Sequence, residues 1–298
     1  MELSSAISRQ PGKLWKFLQF PLTRILTAAV GLVGVMLIIQ FGAHVLHIKS
    51  DSPVRVVISL LIITAVVSIY HAYVRVIEKR SVSEFSWRGA LPEFLWGWLA
   101  GALLFSSTML VLWWLGVARI TPGAGWMALG YSCIGSLTAA VFEETLVRGV
   151  LFRIIEESLG SWIALAISAV VFGALHLFNP GATVISALAI ALEAGVLLGA
   201  VYMYTRRLWM AIGLHAAWNF TEGGVFGASV SGGHSQGAMA SHFLGPELLT
   251  GGKFGPEASL VAVMVCLAAG AIFLWLAWKC QHVLQPVWRR ARVSHAST

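Results

Sequence analysis

The sequence predicts an all-α protein, a polytopic membrane helix bundle of about eight transmembrane helices with the N-terminus and C-terminus both inside. Three observations lead there. Of the 298 residues, 58% are hydrophobic and only 11% charged, against about 25% charged in a soluble domain. Mean hydropathy is +0.80. The apolar residues also gather into runs of membrane-crossing length, which takes about 20 residues rising about 1.5 Å each. So little charge cannot coat a water-facing globule of this size, which excludes an ordinary soluble enzyme, a disordered chain and a secreted disulfide scaffold. Cys133, Cys266 and Cys280 lie in apolar runs without metal-ligand spacing and read as small apolar side chains.

The candidate spans cover 25–47, 54–74, 94–117, 126–147, 161–178, 183–204, 208–226 and 258–280. The first is too long for a signal-peptide core and lacks a small-residue cleavage site, so it reads as retained. Polar residues interrupt the fourth and the seventh. Sixteen Lys and Arg, among them Arg9, Arg80, Arg153, Arg206, Arg207 and Arg292, fall on one side; Lys49, Arg55, Arg119 and Lys253 fall on the other. The richer side is expected to be cytoplasmic, in the cytoplasmic membrane of a bacterium, and an even number of spans returns both termini to it. The whole chain, 1–298, reads as one integral membrane domain.

The loops follow from the same reading. Residues 75–93 mix Arg, Lys, Glu, Phe and Trp and predict a short interfacial helix. Residues 227–256 form the longest non-cytoplasmic loop, with His234 and His242 as solvated residues. Trp87, Trp126, Trp162, Trp209 and Trp288 sit near helix ends, as an aromatic belt does. The net charge of +7 is scattered in short clusters with no basic face interleaved with aromatics, so membrane lipid is the expected partner and nucleic acid is not.

Ionisable groups inside a span cost about 2.5–3.5 kcal/mol each on insertion scales and so mark function by default. Here they concentrate between residues 143 and 222. Glu144 and Arg148 are i, i+4 neighbours with the acid first, the better order for an ion pair. Glu143 is turned about 100° from Glu144, so one carboxylate can be neutralised while the other faces a cavity. The next helix offers Phe172 and His176, and a later one offers His215 with Asn219 on the same face. A single intramembrane His commonly only bonds two helices together, and a Glu-Glu pair at a membrane border is commonly a solvated helix end. Three such features on neighbouring helices argue for one shared site. Counting residues from the basic ends places it between the midplane and the cytoplasmic surface, in a cavity opening to that side. Glu193 and Glu222 are further intramembrane acids.

The order E-E-x-x-x-R, F-x-x-x-H, H-x-x-x-N resembles the CAAX-protease and bacteriocin-processing family of intramembrane proteases, over roughly residues 125–224. The resemblance implies a catalytic core there, with Glu143 as catalytic acid/base and Glu144 its companion, paired with Arg148. It implies that His176 helps activate water and that His215 and Asn219 complete the site.

Peptide hydrolysis needs an activated water, an oxyanion donor and an acid for the leaving amine. Without metal, Glu143 and His176 would polarise the water while His215 and Asn219 donate to the oxyanion. With a divalent metal such as zinc, Glu143, His176 and His215 would form a His₂Glu set with one open position. The H-E-x-x-H signature is absent and Asn is a poor zinc ligand, which leans the reading slightly towards the metal-free route. The expected substrate is a membrane-associated or hydrophobic peptide. Two other readings fit the same polar residues: an ion-coupled transporter, against which stands the lack of an internal repeat, and a non-catalytic scaffold or immunity protein that retains the motif.

Overall fold

The computed structural model describes residues 13–49 and 52–290; Arg9 and Arg292 of the basic set lie outside them. Each apolar stretch forms a helix. In order these are α1 (Pro21–Val45), α2 (Val54–Tyr73), α3 (Ala90–Trp114), α4 (Met127–Glu144), α5 (Ser161–Leu175), α6 (Val184–Ile190, resuming as Val196–Thr205), α7 (Trp209–Asn219) and α8 (Leu260–Lys279). Among the described residues, six helical stretches are long and apolar enough to cross a membrane, fewer than the eight expected. The two left out are those with the site's charges: α4 carries Glu143 and Glu144, and α7 is 11 residues long and carries His215. Side chains such as Val30, Ile38, Phe41, Leu103 and Met264 are exposed on the outer helix faces, as lipid-facing residues are.

Four of these helices contain or run into a wide π-helical turn: Val74–Glu78 after α2, Thr145–Phe152 after α4, Ala191–Gly195 within α6 and Phe220–Val225 after α7. Such turns recur at functional positions, and three of the four carry Arg148, Glu193 and Glu222. After its wide turn α4 resumes as Arg153–Leu159.

Two features depart from the all-α expectation. The strands β1 (Ala118–Pro122) and β2 (Met239–Phe243) pair antiparallel, from Ala118 opposite Phe243 to Pro122 opposite Met239. They give partners to backbone groups that no helix satisfies. The predicted interfacial helix at 75–93 does not form. The chain leaves α2 through Lys79 at φ 54° and runs as turns to Gly89 at φ 78°. Some of its charges turn inward, those of Glu78, Arg80 and Glu84, while Arg75, Lys79 and Arg88 stay exposed. Glu78 accepts from Arg24 at 2.6 Å, Arg153 at 2.5 Å, Arg80 at 2.7 Å and the Tyr73 hydroxyl at 3.1 Å. Trp209, at the start of α7, sets its ring 5.3 Å from that of Trp87, and its indole N–H donates to the Ser86 carbonyl at 3.0 Å.

The closest helix packing is between α3 and α7. A Cβ at Gly101 would lie 2.2 Å from the Leu214 carbonyl oxygen, and one at Gly213 would lie 2.3 Å from that of Phe94. Small residues let two backbones approach like this where lipid supplies no hydrophobic drive. The contact sets the position of His215, one residue beyond Leu214. At the end of the bundle away from the basic clusters, the segment 227–258 folds into a cap. It is tied by the β1–β2 ribbon and by Gly232, whose N–H donates to the Phe254 carbonyl at 2.7 Å.

Candidate active site

Glu143 and Glu144 close the α-helical part of α4, and the wide turn beyond them carries Arg148. Glu144 and Arg148 are both fully buried, and Arg148 Nη1 donates to Glu144 Oε1 at 2.9 Å. The second guanidinium nitrogen donates at 3.1 Å each to the carbonyls of Ala194 and Gly195 in the wide turn of α6. The guanidinium also sits 4.7 Å above the Phe172 ring. A buried ion pair is tolerable only when its remaining donors are satisfied, and these carbonyls supply much of that.

His215 meets both glutamates. Its Nδ1 lies 3.0 Å from Glu144 Oε1 and its Nε2 3.9 Å from Glu143 Oε2. Glu144 is thus held by an arginine and an imidazole together, while the Glu143 side chain is 30% exposed. His176 stands at the end of α5, where the helix tightens into a 3₁₀ turn. Its Nδ1 donates to the Phe172 carbonyl at 2.8 Å and its ring centroid lies 4.6 Å from that of Phe172. With Nδ1 bearing the hydrogen, Nε2 of the neutral ring is left as an acceptor.

Two cavities meet at His176. The first, of about 320 Å³, opens sideways between α1 and the α4–α5 pair, with Val33, Met36 and Leu37 on one wall and Glu143 and His176 on the other. The second is a chamber of about 20 Å³ lined by His176, His215, Asn219, Glu193, Ser231 and Glu257. Phe172 and His176 belong to both walls. All six motif residues therefore gather around one point where α4, α5 and α7 converge. At the cap end the small chamber is lined by Ser231 and Glu257, where the 227–258 segment folds back over the helices.

The sequence offered nothing to mark Ser231 or Glu257, which lie in a polar loop without helical period. Glu257 is 2% exposed and its Oε1 accepts from the Ser231 N–H at 2.6 Å. Burial pushes its carboxyl above the ordinary range, against the lowering pull of His176 and of the Ser231 hydrogen bond. The Glu222 carboxyl, also fully buried, lies against it. Glu193 lines the same chamber, next to the Cys266 thiol. His234 and His242 are exposed on the cap.

The conditional metal set does not form a ligand cluster here. Among the described residues no three His, Cys, Asp or Glu side chains converge as a metal would need. His176 and His215 spend their Nδ1 atoms on the Phe172 carbonyl and on Glu144.

Fold and site together define a multi-pass helical membrane protein with carboxylates, imidazoles and a guanidinium gathered inside the bundle. Residues 125–221, roughly a third of the chain, match the family model described as type II CAAX prenyl endopeptidase Rce1-like, which supports the resemblance to the CAAX-protease and bacteriocin-processing family. No curated protein and no solved structure matches the chain.

Proposed function

We propose that this protein is an intramembrane endopeptidase that hydrolyses peptide bonds of a membrane-associated or hydrophobic peptide. The observation that carries the reading is the placement of Glu143 and His176 on the inner wall of a sideways-opening cavity, with His215 Nε2 3.9 Å from Glu143. A peptide sliding in between α1 and α5 would bring its scissile carbonyl to that wall.

Glu143, assisted by His176 Nε2, accepts a proton from water as the water oxygen bonds to the carbonyl carbon. In this reading His215, as the imidazolium, and Asn219 donate to the developing oxyanion. Glu143 then returns the proton to the amide nitrogen as the C–N bond breaks, leaving a carboxylate and an amine. Glu144 and Arg148 hold His215 and stay out of the bond changes. The basic-residue bias supports a topology with both termini inside, and a reporter fused after residue 240 tests it by its side of the membrane.

The test is cleavage of a fluorogenic peptide library by purified protein in nanodiscs, with wild type beside Glu143→Gln and His176→Ala, each with and without chelator. Loss in both variants supports the assignment. Equal cleavage by all three would refute it. General acid–base groups of this kind are worth about 10²–10⁴-fold in rate.

A further inference from the structure

The chamber behind His176 has a volume of about 20 Å³, and a cavity needs roughly 10–15 Å³ by this measure to hold one water. It cannot take a peptide. Its lining nevertheless includes the polar residues His176, Glu193, His215, Asn219, Ser231 and Glu257, and a buried water wants only about two to four such partners. The peptide-sized cavity lies on the other side of His176, towards α1.

We propose that this chamber is the water port of the site, and that Glu257 is the residue that holds the hydrolytic water there before it reaches Glu143 and His176. The inference rests on the endopeptidase reading and adds a residue from outside the family-matched segment 125–221. The cap is built to fix Glu257. Its Oε1 takes the Ser231 N–H at 2.6 Å, and Ser231 holds φ 47°, a left-handed conformation that a non-glycine residue adopts at a cost. The next residue, Gly232 at φ 78°, presses against the end of the His176 segment so closely that a Cβ would lie 1.8 Å from the Pro180 carbonyl oxygen. One short stretch of cap therefore anchors Glu257 and abuts the segment that carries His176. With one carboxylate oxygen taking the Ser231 N–H, Glu257 still lines the chamber beside Glu222 and offers it a polar group that a water can bond. Peptide and water then approach His176 from opposite sides, the peptide from lipid and the water from the cap.

The test compares wild type, Glu143→Gln, Glu257→Gln and Glu257→Leu on one cleaved peptide, together with a structure of the wild type in nanodiscs at a resolution that shows waters. Glu257→Leu is expected to lower kcat about 100-fold, the scale of a misplaced reactant, with KM within about threefold because the peptide cavity is untouched. Glu257→Gln, which keeps an oxygen for Ser231 and a polar group for water, is expected to restore most of the rate. Wild-type kcat in Glu257→Leu, with Glu143→Gln inactive, overturns the water port and leaves the endopeptidase reading standing. Unchanged cleavage in Glu143→Gln overturns the endopeptidase reading instead. The structure decides independently of any substrate and of whether Glu257→Leu folds: ordered water density against Glu257 supports the port, and a dry chamber refutes it.

Discussion

Glu144 Oε1 receives Arg148 Nη1 at 2.9 Å and His215 Nδ1 at 3.0 Å, so one buried oxygen joins α4 to α7. Removing the cation alone strands a carboxylate in the bundle, which costs about 3–5 kcal/mol for a buried pair. Arg148→Met should therefore lower the unfolding midpoint in detergent sharply. The double variant Glu144→Gln/Arg148→Met should recover much of that stability while remaining inactive, because the His215 ring loses its charged anchor. A double-mutant cycle of thermal midpoints and cleavage rates checks both halves.

The sideways cavity makes a different prediction. Met36 lies on its α1 wall, away from every group that touches a proton in the proposed reaction. Met36→Trp should raise KM about tenfold and leave kcat within about threefold, the pattern of lost substrate binding without lost transition-state stabilisation. Steady-state kinetics on one cleaved peptide are sufficient.

Between α3 and α7 there is no room for side chains at the crossing. Gly101→Val places carbon where the Leu214 backbone already lies, and overpacking of this kind costs about 1–3 kcal/mol or more. Its effect should be joint, a lower midpoint together with lost activity, since α7 carries His215 and Asn219. A matched substitution at Gly34, where an added Cβ meets nothing within 4 Å, should be silent in both measurements.

Glu257 predicts a pH dependence whose sign comes from burial. Its folded carboxyl is raised above the ordinary value of 4.5. The group therefore contributes stability that is fully present below that value and is lost as pH rises through the folded pKa. Thermal midpoints of the wild type should fall over that window, and Glu257→Gln should flatten the fall. Glu222, which lies against it, leaves a residual slope.

Much of this architecture was legible because lipid imposes a simple rule: every long apolar run must satisfy its own backbone as a helix. The i, i+4 spacing of Glu144 and Arg148 likewise places them as a pair, since helix geometry alone brings them together. What the sequence could not show was tertiary. The wide turns after Glu144 and around Glu193 have no composition signal, and they decide which carbonyls Arg148 reaches. The inward ion pairs on Glu78 pin a segment that reads as an interfacial helix into a connection of turns. The cap over the chamber depends on Ser231 and Gly232 adopting left-handed backbone against Pro180, a contact between segments far apart in the chain.

The convergence on Glu78 has a mechanical consequence. Arg24 near the start of α1 and Arg153 at the far end of α4 are pinned to the same carboxylate at 2.6 and 2.5 Å, and Arg24 also grips Glu157 at 2.5 Å. α1 and α4 share a pivot at one end and, among the described residues, none of comparable strength beside Met36. Widening the gap for the peptide proposed above would then be a scissor motion, with travel growing along α1 towards Val45. Spin labels facing one another across the gap should report nearly fixed separations beside Arg24 and broad ones near Phe41. A cross-link at the pivot should leave peptide entry intact, whereas one at the open blades should jam it.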